Sequence, residues 1–152
     1  FPFAGKTVLI TAGPTYEKID DVRFIGNYSS GKMGFALAEE AANYGAKVTL
    51  VAGPVGLDTP KNVQRVNVES AREMFDEVMK RRAESDVIVL AAAVADFTPF
   101  EKHDGKLKKE DTGDTMTLRL TKTPDILAAE ACRILSYGFH HLFCQRYRGH
   151  AM

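Results

Sequence analysis

The 152-residue sequence predicts an α/β fold, a Rossmann-like and mostly parallel sheet with helices on both faces. Three observations predict it. Short apolar, β-branched runs alternate with stretches whose apolar residues recur at helical spacing. Two of the runs, Thr7–Thr11 and Lys47–Ala52, are followed by Gly-Pro pairs that stop a strand. The resulting order, strand–helix–strand–strand–helix–strand, demands crossovers that cover the sheet.

The elements follow in chain order. Residues 7–11 (TVLIT) read as a buried strand, and 15–30 as a polar loop. From Met33 to Tyr44 the apolar residues fit a helix buried on one face. Ser29 or Ser30 is its expected N-cap and Gly45 its C′ residue. Lys47–Ala52 is a second buried strand, and Val63–Val68 alternates as a third. Glu69–Glu84 reads as a helix with Met74, Phe75, Val78 and Met79 inward. Asp86–Ala93 is the most apolar strand and is expected to be central. Residues 102–114 read as a mobile loop, Thr115–Leu120 as a half-exposed strand, and 124–135 as a helix with Pro124 at N1 after a Thr123 cap.

Composition narrows the function classes. Twenty Lys plus Arg balance 20 Asp plus Glu. Zero net charge argues against a nucleic-acid binder driven by basic excess. No run of about 18 apolar residues is present, so no membrane helix is expected, and no signal peptide is read at the N-terminus. Cys132 and Cys144 form no CxxC pair, which predicts a reduced, cytoplasmic setting. The charge is unevenly spread. Residues 132–152 hold no acid, three arginines and three of the four histidines, so the first 131 residues carry −3 and the tail +3. This break divides the chain into a body, 1–131, and an atypical tail, 132–152.

In an open α/β sheet, ligands sit beyond the carboxyl ends of the strands. Three loops therefore matter, those after Thr11, Ala52 and Ala93. Gly13 closes the first strand and is a candidate nucleotide-binding residue there. Gly26-x-x-x-x-Gly31-Lys32 nearly matches a phosphate-binding loop, but Met33 replaces the Mg²⁺-binding Ser or Thr, and the run starts well past the first strand. Ser29, Ser30 and Gly31 at a helix N-terminus nonetheless suit a phosphate, with Lys32 adding charge and Arg23 able to pair with a phosphate or carboxylate. The alternative is an ordinary capped helix with a solvated lysine. Tyr28-x-x-x-Lys32 matches the short-chain dehydrogenase dyad in the wrong place. TAGPT has one glycine, and the second strand ends in Ala52-Gly53 without a ribose-binding acid, which disfavours NAD(P).

Ala91, Ala92 and Ala93 would let a planar ring or sugar approach the backbone, and Asp96 could bind a base, a ribose or a metal. Tight packing with a turn aspartate explains the same residues. Lys106-Leu107-Lys108-Lys109 is either a solvated cluster or a cap over a triphosphate. Asn27 offers a donor and an acceptor. No His/Cys/Asp set has metal-site spacing.

Together these segments resemble the phosphopantothenoylcysteine synthetase family. The resemblance rests on Thr11–Thr15, Asp20-x-Val22-Arg23-x-Ile25-x-Asn27-x-Ser29-Ser30-Gly31-Lys32-Met33-Gly34, Ala91–Asp96, Lys106-x-Lys108-Lys109 and Thr123-Pro124-Asp125-Ile126. It implies a ligase of coenzyme A biosynthesis. In the reaction so implied, the 4′-phosphopantothenate carboxylate would attack the α-phosphate of CTP with Mg²⁺, giving an acyl-cytidylate and pyrophosphate, and the amine of cysteine would then displace CMP. Carried over by position, Asn27 would hold the acyl-cytidylate and Arg23 would support its loop. Ala91, Ala92, Ala93 and Asp96 would contact the cytidine, Lys106 the triphosphate, and Pro124, Asp125, Ile126 and Leu127 would line the nucleotide site. The resemblance implies a homodimer, small-molecule partners only, and FMN only where a decarboxylase domain is fused upstream. Asp21 stands where the family usually has Pro, and Gly26 where it has Ser or Thr. Past about Leu127 the resemblance fades. The acid-free tail then reads as an altered or frameshifted C-terminus of an incomplete ligase domain. The rival classes are an NAD(P)-dependent oxidoreductase and an inactive nucleotide-binding fragment.

Overall fold

A computed structural model describes residues 2–129 and the strand His141–Cys144. Five strands form the main sheet: β1 (Thr7–Ala12), β4 (Lys47–Ala52), β5 (Val63–Asn67), β6 (Val87–Leu90) and β9 (His141–Cys144). Their spatial order is β5-β4-β1-β6-β9, and every neighbouring pair is parallel. The sequence-predicted fold class is therefore the observed one. Of the tail 132–152, only β9 lies within the described residues, at the sheet edge beside β6.

Period-two alternation along β1 sends successive side chains to opposite faces. Val8, Ile10 and Ala12 pack with Phe35, Ala38 and Ala41 of α1 (Lys32–Asn43). Leu9 faces the other way, onto Met74 and Val78 of α2 (Ala71–Arg81) and Ile126. Burial on both faces is why β1 reads as an uninterrupted apolar run. Each fully buried Leu or Ile contributes about 1.5–3 kcal/mol relative to exposure. Among the described residues, no helix is long and apolar enough to cross a membrane.

The helix ends are chemically legible. Gly45, with φ of 92°, is the C′ residue as expected. Its N–H donates to the Ala42 carbonyl and that of Ala46 to the Ala41 carbonyl, both at 3.0 Å, a Schellman motif. At the other end of α1, the expected serine cap is corrected. The N-cap is Gly31 with φ of 76°, and no side chain caps the helix. Ser30 Oγ accepts only from the Lys32 N–H, at 3.3 Å. A side chain at Gly31 would press on Val55 and Gly13, so the close approach of α1 to β1 selects glycine. Ser70 caps α2 by accepting from Glu73 N–H at 3.2 Å, and Glu73 accepts in return from Glu69 N–H at 3.1 Å.

Five other expectations are corrected. The 15–30 loop contains an antiparallel hairpin, β2 (Tyr16–Lys18) with β3 (Phe24–Gly26), held by Tyr16 and Phe24 rings stacked at 3.9 Å. The strand expected at Thr115–Leu120 is instead β8 (Leu120–Lys122), paired with β7 (Phe97–Pro99). The loop 102–114 contains a short helix, α3 (Lys109–Thr112). The helix expected over 124–135 starts two residues later and is seen at 126–129, and 130–135 lie outside the described residues. Its cap is Asp125, whose carboxylate accepts from Ala128 N–H at 3.0 Å. The Thr123 hydroxyl donates elsewhere, to the Ala95 carbonyl at 2.6 Å.

Candidate functional site at the sheet switch point

The chain leaves β1 toward β4 on one side, and β6 arrives on the other. The loops after β1 and β6 therefore border the crevice where such sheets bind ligands. Threonines of the first loop fix the second. Thr11 Oγ1 accepts from Ala92 N–H at 3.3 Å, and Thr15 Oγ1 from Ala95 N–H at 2.9 Å. Ala93 N–H donates to the Gly13 carbonyl at 2.8 Å, and Thr15 N–H to the Ala93 carbonyl at 3.3 Å. Both threonines are buried, which keeps water from competing for these bonds. The expected strand 86–93 thus stops at Leu90, and Ala91–Ala93 run on as irregular backbone stitched to β1.

Asn27 reaches this backbone across 66 residues of sequence. Its Nδ2 donates to the Ala93 carbonyl at 3.1 Å. The amide's second N–H and its Oδ1 remain at an exposed position beside Ala91–Ala93. Asp96 is exposed at the end of this segment, and its carbonyl accepts from Thr123 N–H at 2.9 Å. Pro124–Leu127 are thereby brought next to Asp96. Within them Ile126 belongs to the core and Asp125 to the helix cap, so neither side chain is idle.

Lys106 stands on the loop read from sequence as mobile, and the structure tethers that loop. Gly105 N–H donates to Asp21 Oδ2 at 2.9 Å, and Asp21 N–H to the Gly105 carbonyl at 3.3 Å. Leu107 N–H donates to Asp20 Oδ2 at 3.0 Å, and its carbonyl accepts from Arg23 Nη2 at 2.9 Å. His103 N–H adds a bond to the Ile19 carbonyl at 3.2 Å. Arg23 itself pairs with Asp20 Oδ2, at 2.6 Å from Nη2 and 3.1 Å from Nε. Its guanidinium is thus engaged by a carboxylate and a carbonyl. The Arg23 hydrogen bonds hold the buried Asp20 carboxyl well below the usual carboxylate range, against the opposing effect of burial.

The first turn of α1 meets the site through its backbone. A Cβ on Gly31 would lie 3.4 Å from Gly13 Cα, so the helix start abuts the end of β1. Ser29 is half-buried and Ser30 exposed there. Lys32 is placed differently, lining a cavity of about 450 Å³ between α1 and the loop around Asp58 and Lys61.

A second cavity, of about 580 Å³, lies beyond β4 and β5 and contains none of the sequence-predicted site residues. Arg65 borders it, with Glu69 and Glu73. That arginine donates to Asn67 Oδ1 at 2.8 Å and to the Leu57 and Val55 carbonyls at 2.5 and 3.3 Å, and it lies over the Phe35 ring. With its cation engaged and two acids at the wall, this cavity disfavours a polyanion. Among the described residues, no three of His, Cys, Asp and Glu converge as a metal centre.

Sequence reasoning missed two buried acids. Asp20 is the hub just described. Glu17 is 2% exposed and accepts from Ala71 N–H at 2.9 Å. Burial pushes its carboxyl above the usual range. Both sit in or beside the β2–β3 hairpin, where no periodicity marks them.

An open parallel sheet with polar groups gathered at its switch point defines the doubly wound α/β class. Within it, the chain belongs to the DNA/pantothenate metabolism flavoprotein C-terminal domain family, whose model matches residues 3–137. It is 55% identical over 128 residues to the coenzyme A biosynthesis bifunctional protein CoaBC of Vibrio vulnificus (strain YJ016), covering 84% of this chain and 32% of that protein. Identity to the Bacillus subtilis (strain 168) protein of the same description is 53% over 127 residues, covering 83% and 31%. The crystal structure of a C-terminal domain of CoaBC matches with a TM-score of 0.76 and 42% identity, covering 93% of this chain and 64% of that one. The chain spans about a third of the length of the curated relatives it matches.

Proposed function

We propose that this chain carries a ligase step of coenzyme A biosynthesis, joining 4′-phosphopantothenate to cysteine through an acyl-cytidylate made from CTP. The observation that carries the reading is the bond from Asn27 Nδ2 to the Ala93 carbonyl at the switch point. That bond sets an amide with unused hydrogen-bonding capacity beside the backbone of Ala93, and the tethered loop that carries Lys106 supports the same reading. Family membership and identity to CoaBC proteins support the same reading.

The chemistry asks for orientation of two anions and for charge neutralisation. Ala91–Ala93 form the floor for cytidine, and Asp96 and Pro124–Leu127 its rim. Asn27 donates to the carbonyl oxygen of the acyl-cytidylate and keeps the mixed anhydride oriented toward the cysteine amine. Lys106 offsets negative charge on the triphosphate as pyrophosphate leaves. Arg23 acts from behind, through the Asp20 turn. A bound Mg²⁺ ion would supply further charge neutralisation. It needs only one or two carboxylates besides the phosphates, and the exposed Asp96, with no wider acidic cluster beside it among the described residues, would be the residue to hold it. The working unit in this reading is a cytoplasmic homodimer acting on small molecules.

Calorimetry with CTP and Mg²⁺, followed by an assay for CTP-dependent pyrophosphate release with 4′-phosphopantothenate, tests the proposal. A response to NADPH but not to CTP overturns it. CTP binding without pyrophosphate release identifies a non-catalytic nucleotide-binding chain instead.

A further inference from the structure

We propose that Asp20 is a positioning residue whose buried carboxylate sets where Lys106 stands relative to the Asn27–Ala93 edge, with Asp21 as its second anchor. Asp20 Oδ1 accepts from the N–H groups of Val22 and Arg23, at 3.0 and 2.8 Å. Oδ2 accepts from Arg23 Nη2 and Nε and from Leu107 N–H, at 2.6, 3.1 and 3.0 Å. One oxygen therefore folds the turn, and the other joins that turn to a loop 87 residues away.

Lys106 lies between two pinned residues. Both backbone groups of Gly105 bond to Asp21, and those of Leu107 bond to Asp20 and Arg23. The backbone on each side of the lysine is held, while its exposed ammonium forms no ion pair among the described residues. That combination fits a cation held for a ligand better than a solvated charge run. Misplacement of a charged group by about 1 Å is enough to cost on the order of 100-fold in an oriented reaction. A carboxylate suits the hub because all five of its contacts are donors. The amide introduced by Asp20→Asn would turn its own NH₂ toward one donor set or the other. The ligand assigned to Lys106 rests on the ligase reading, whereas the anchoring does not.

The test compares Asp20→Asn, Asp21→Ala and Lys106→Ala in the intact chain. Amide hydrogen exchange reads the anchor without any ligand. Leu107 should lose at least about tenfold protection in Asp20→Asn, and Gly105 in Asp21→Ala, while Ile10 in β1 stays unchanged. Unchanged Leu107 protection overturns the anchor. If Asp20→Asn does not fold, Asp21→Ala at its exposed position carries the exchange test. Calorimetry with CTP and Mg²⁺ reads the consequence. Lys106→Ala and Asp20→Asn should each weaken Kd about tenfold, and the double variant should be no weaker than Lys106→Ala alone. Fully additive losses overturn positioning through Lys106. Failure of the unmodified chain to bind CTP overturns the ligase reading and the nucleotide role of Lys106 with it, while the exchange result still decides whether Asp20 holds the loop.

Discussion

Gly34 lies in the first turn of α1, directly against the end of β1, and one added methyl there should push the helix off the sheet. An ideal Cβ at Gly34 would stand 2.4 Å from Ala12 Cβ, 3.1 Å from Ala12 Cα and 3.2 Å from the Thr11 carbonyl oxygen. Apolar carbons prefer about 3.5–4.0 Å, so helix and strand would have to part by roughly 1 Å. Ala12 is 0% exposed, and backbone atoms of β1 cannot rotate aside. Overpacking of this kind costs about 1–3 kcal/mol. Helix propensity returns about 1 kcal/mol when Ala replaces Gly. The 2.4 Å contact puts the cost in the upper part of that range, about 2–3 kcal/mol, so the expected net loss for Gly34→Ala is about 1–2 kcal/mol. With a urea m-value of about 1–3 kcal/mol/M, the midpoint should fall by about 0.3–2 M. Urea unfolding followed by circular dichroism reads this directly. Gly56→Ala, where an added Cβ meets nothing within 4 Å, is the matched control and should not fall. Adding Ala12→Gly should recover part of the loss, because the two sites share one contact. A Gly34→Ala midpoint at or above that of the unmodified chain would refute the close packing of α1 on β1.

Asn27→Asp replaces the donor to the Ala93 carbonyl with an acceptor, so a quench assay should show at least about tenfold less acyl-cytidylate turnover; full-rate turnover removes Asn27 from the mechanism. Glu17 has a raised folded pKa, so its contribution is fully present below the ordinary value of 4.5 and is lost as pH rises through the folded value. Glu17→Gln keeps the acceptor for Ala71 N–H and should therefore gain stability relative to the parent as pH rises from about 4 to about 8, by thermal unfolding; a constant gap across that range contradicts the assignment. Asp20 has a lowered folded pKa, so its contribution is present above 3.8 and lost as pH falls below it. Acid titration of Asp20→Asn should show a flatter stability profile below that value, and an unchanged acid limb counts against the Asp20 hub. Thr123→Val leaves the Ala95 carbonyl without its hydroxyl donor and should cost about 1–2 kcal/mol in the same urea assay, against no measurable change if solvent replaces the bond.

The sheet was legible because β1, β4 and β6 are buried on both sides, which writes continuous apolar runs into the sequence. The hairpin β2–β3 was not, since three-residue strands carry no usable period. Cap assignment failed where a cap-type residue had a better partner elsewhere. Thr123 stands two residues before Asp125, and only the fold shows that its hydroxyl bonds Ala95. Ser29 and Ser30 lost the α1 cap to Gly31 because the helix must press against Gly13 and Val55. The site divides in the same way. Ala91–Ala93 and Lys106 stand out by residue type, and Asn27 only through the family resemblance, while Asp20 is no more than a letter in that pattern. Its importance comes from a donor on Leu107, far along the chain, and no local window contains both.

That long reach has a kinetic side. Val8 in the central strand pairs with Val48 on one flank and Val87 on the other. During synthesis β1 therefore emerges with neither neighbour, and its second flank stays open until about 80 more residues have been added. At about 5–20 residues per second this interval lasts several seconds. Parallel pairings across such separations form late, because loop closure must precede any contact. The uninterrupted apolar run of β1 also leaves that stretch of nascent chain open to mispairing, until β4 and β6 close around it.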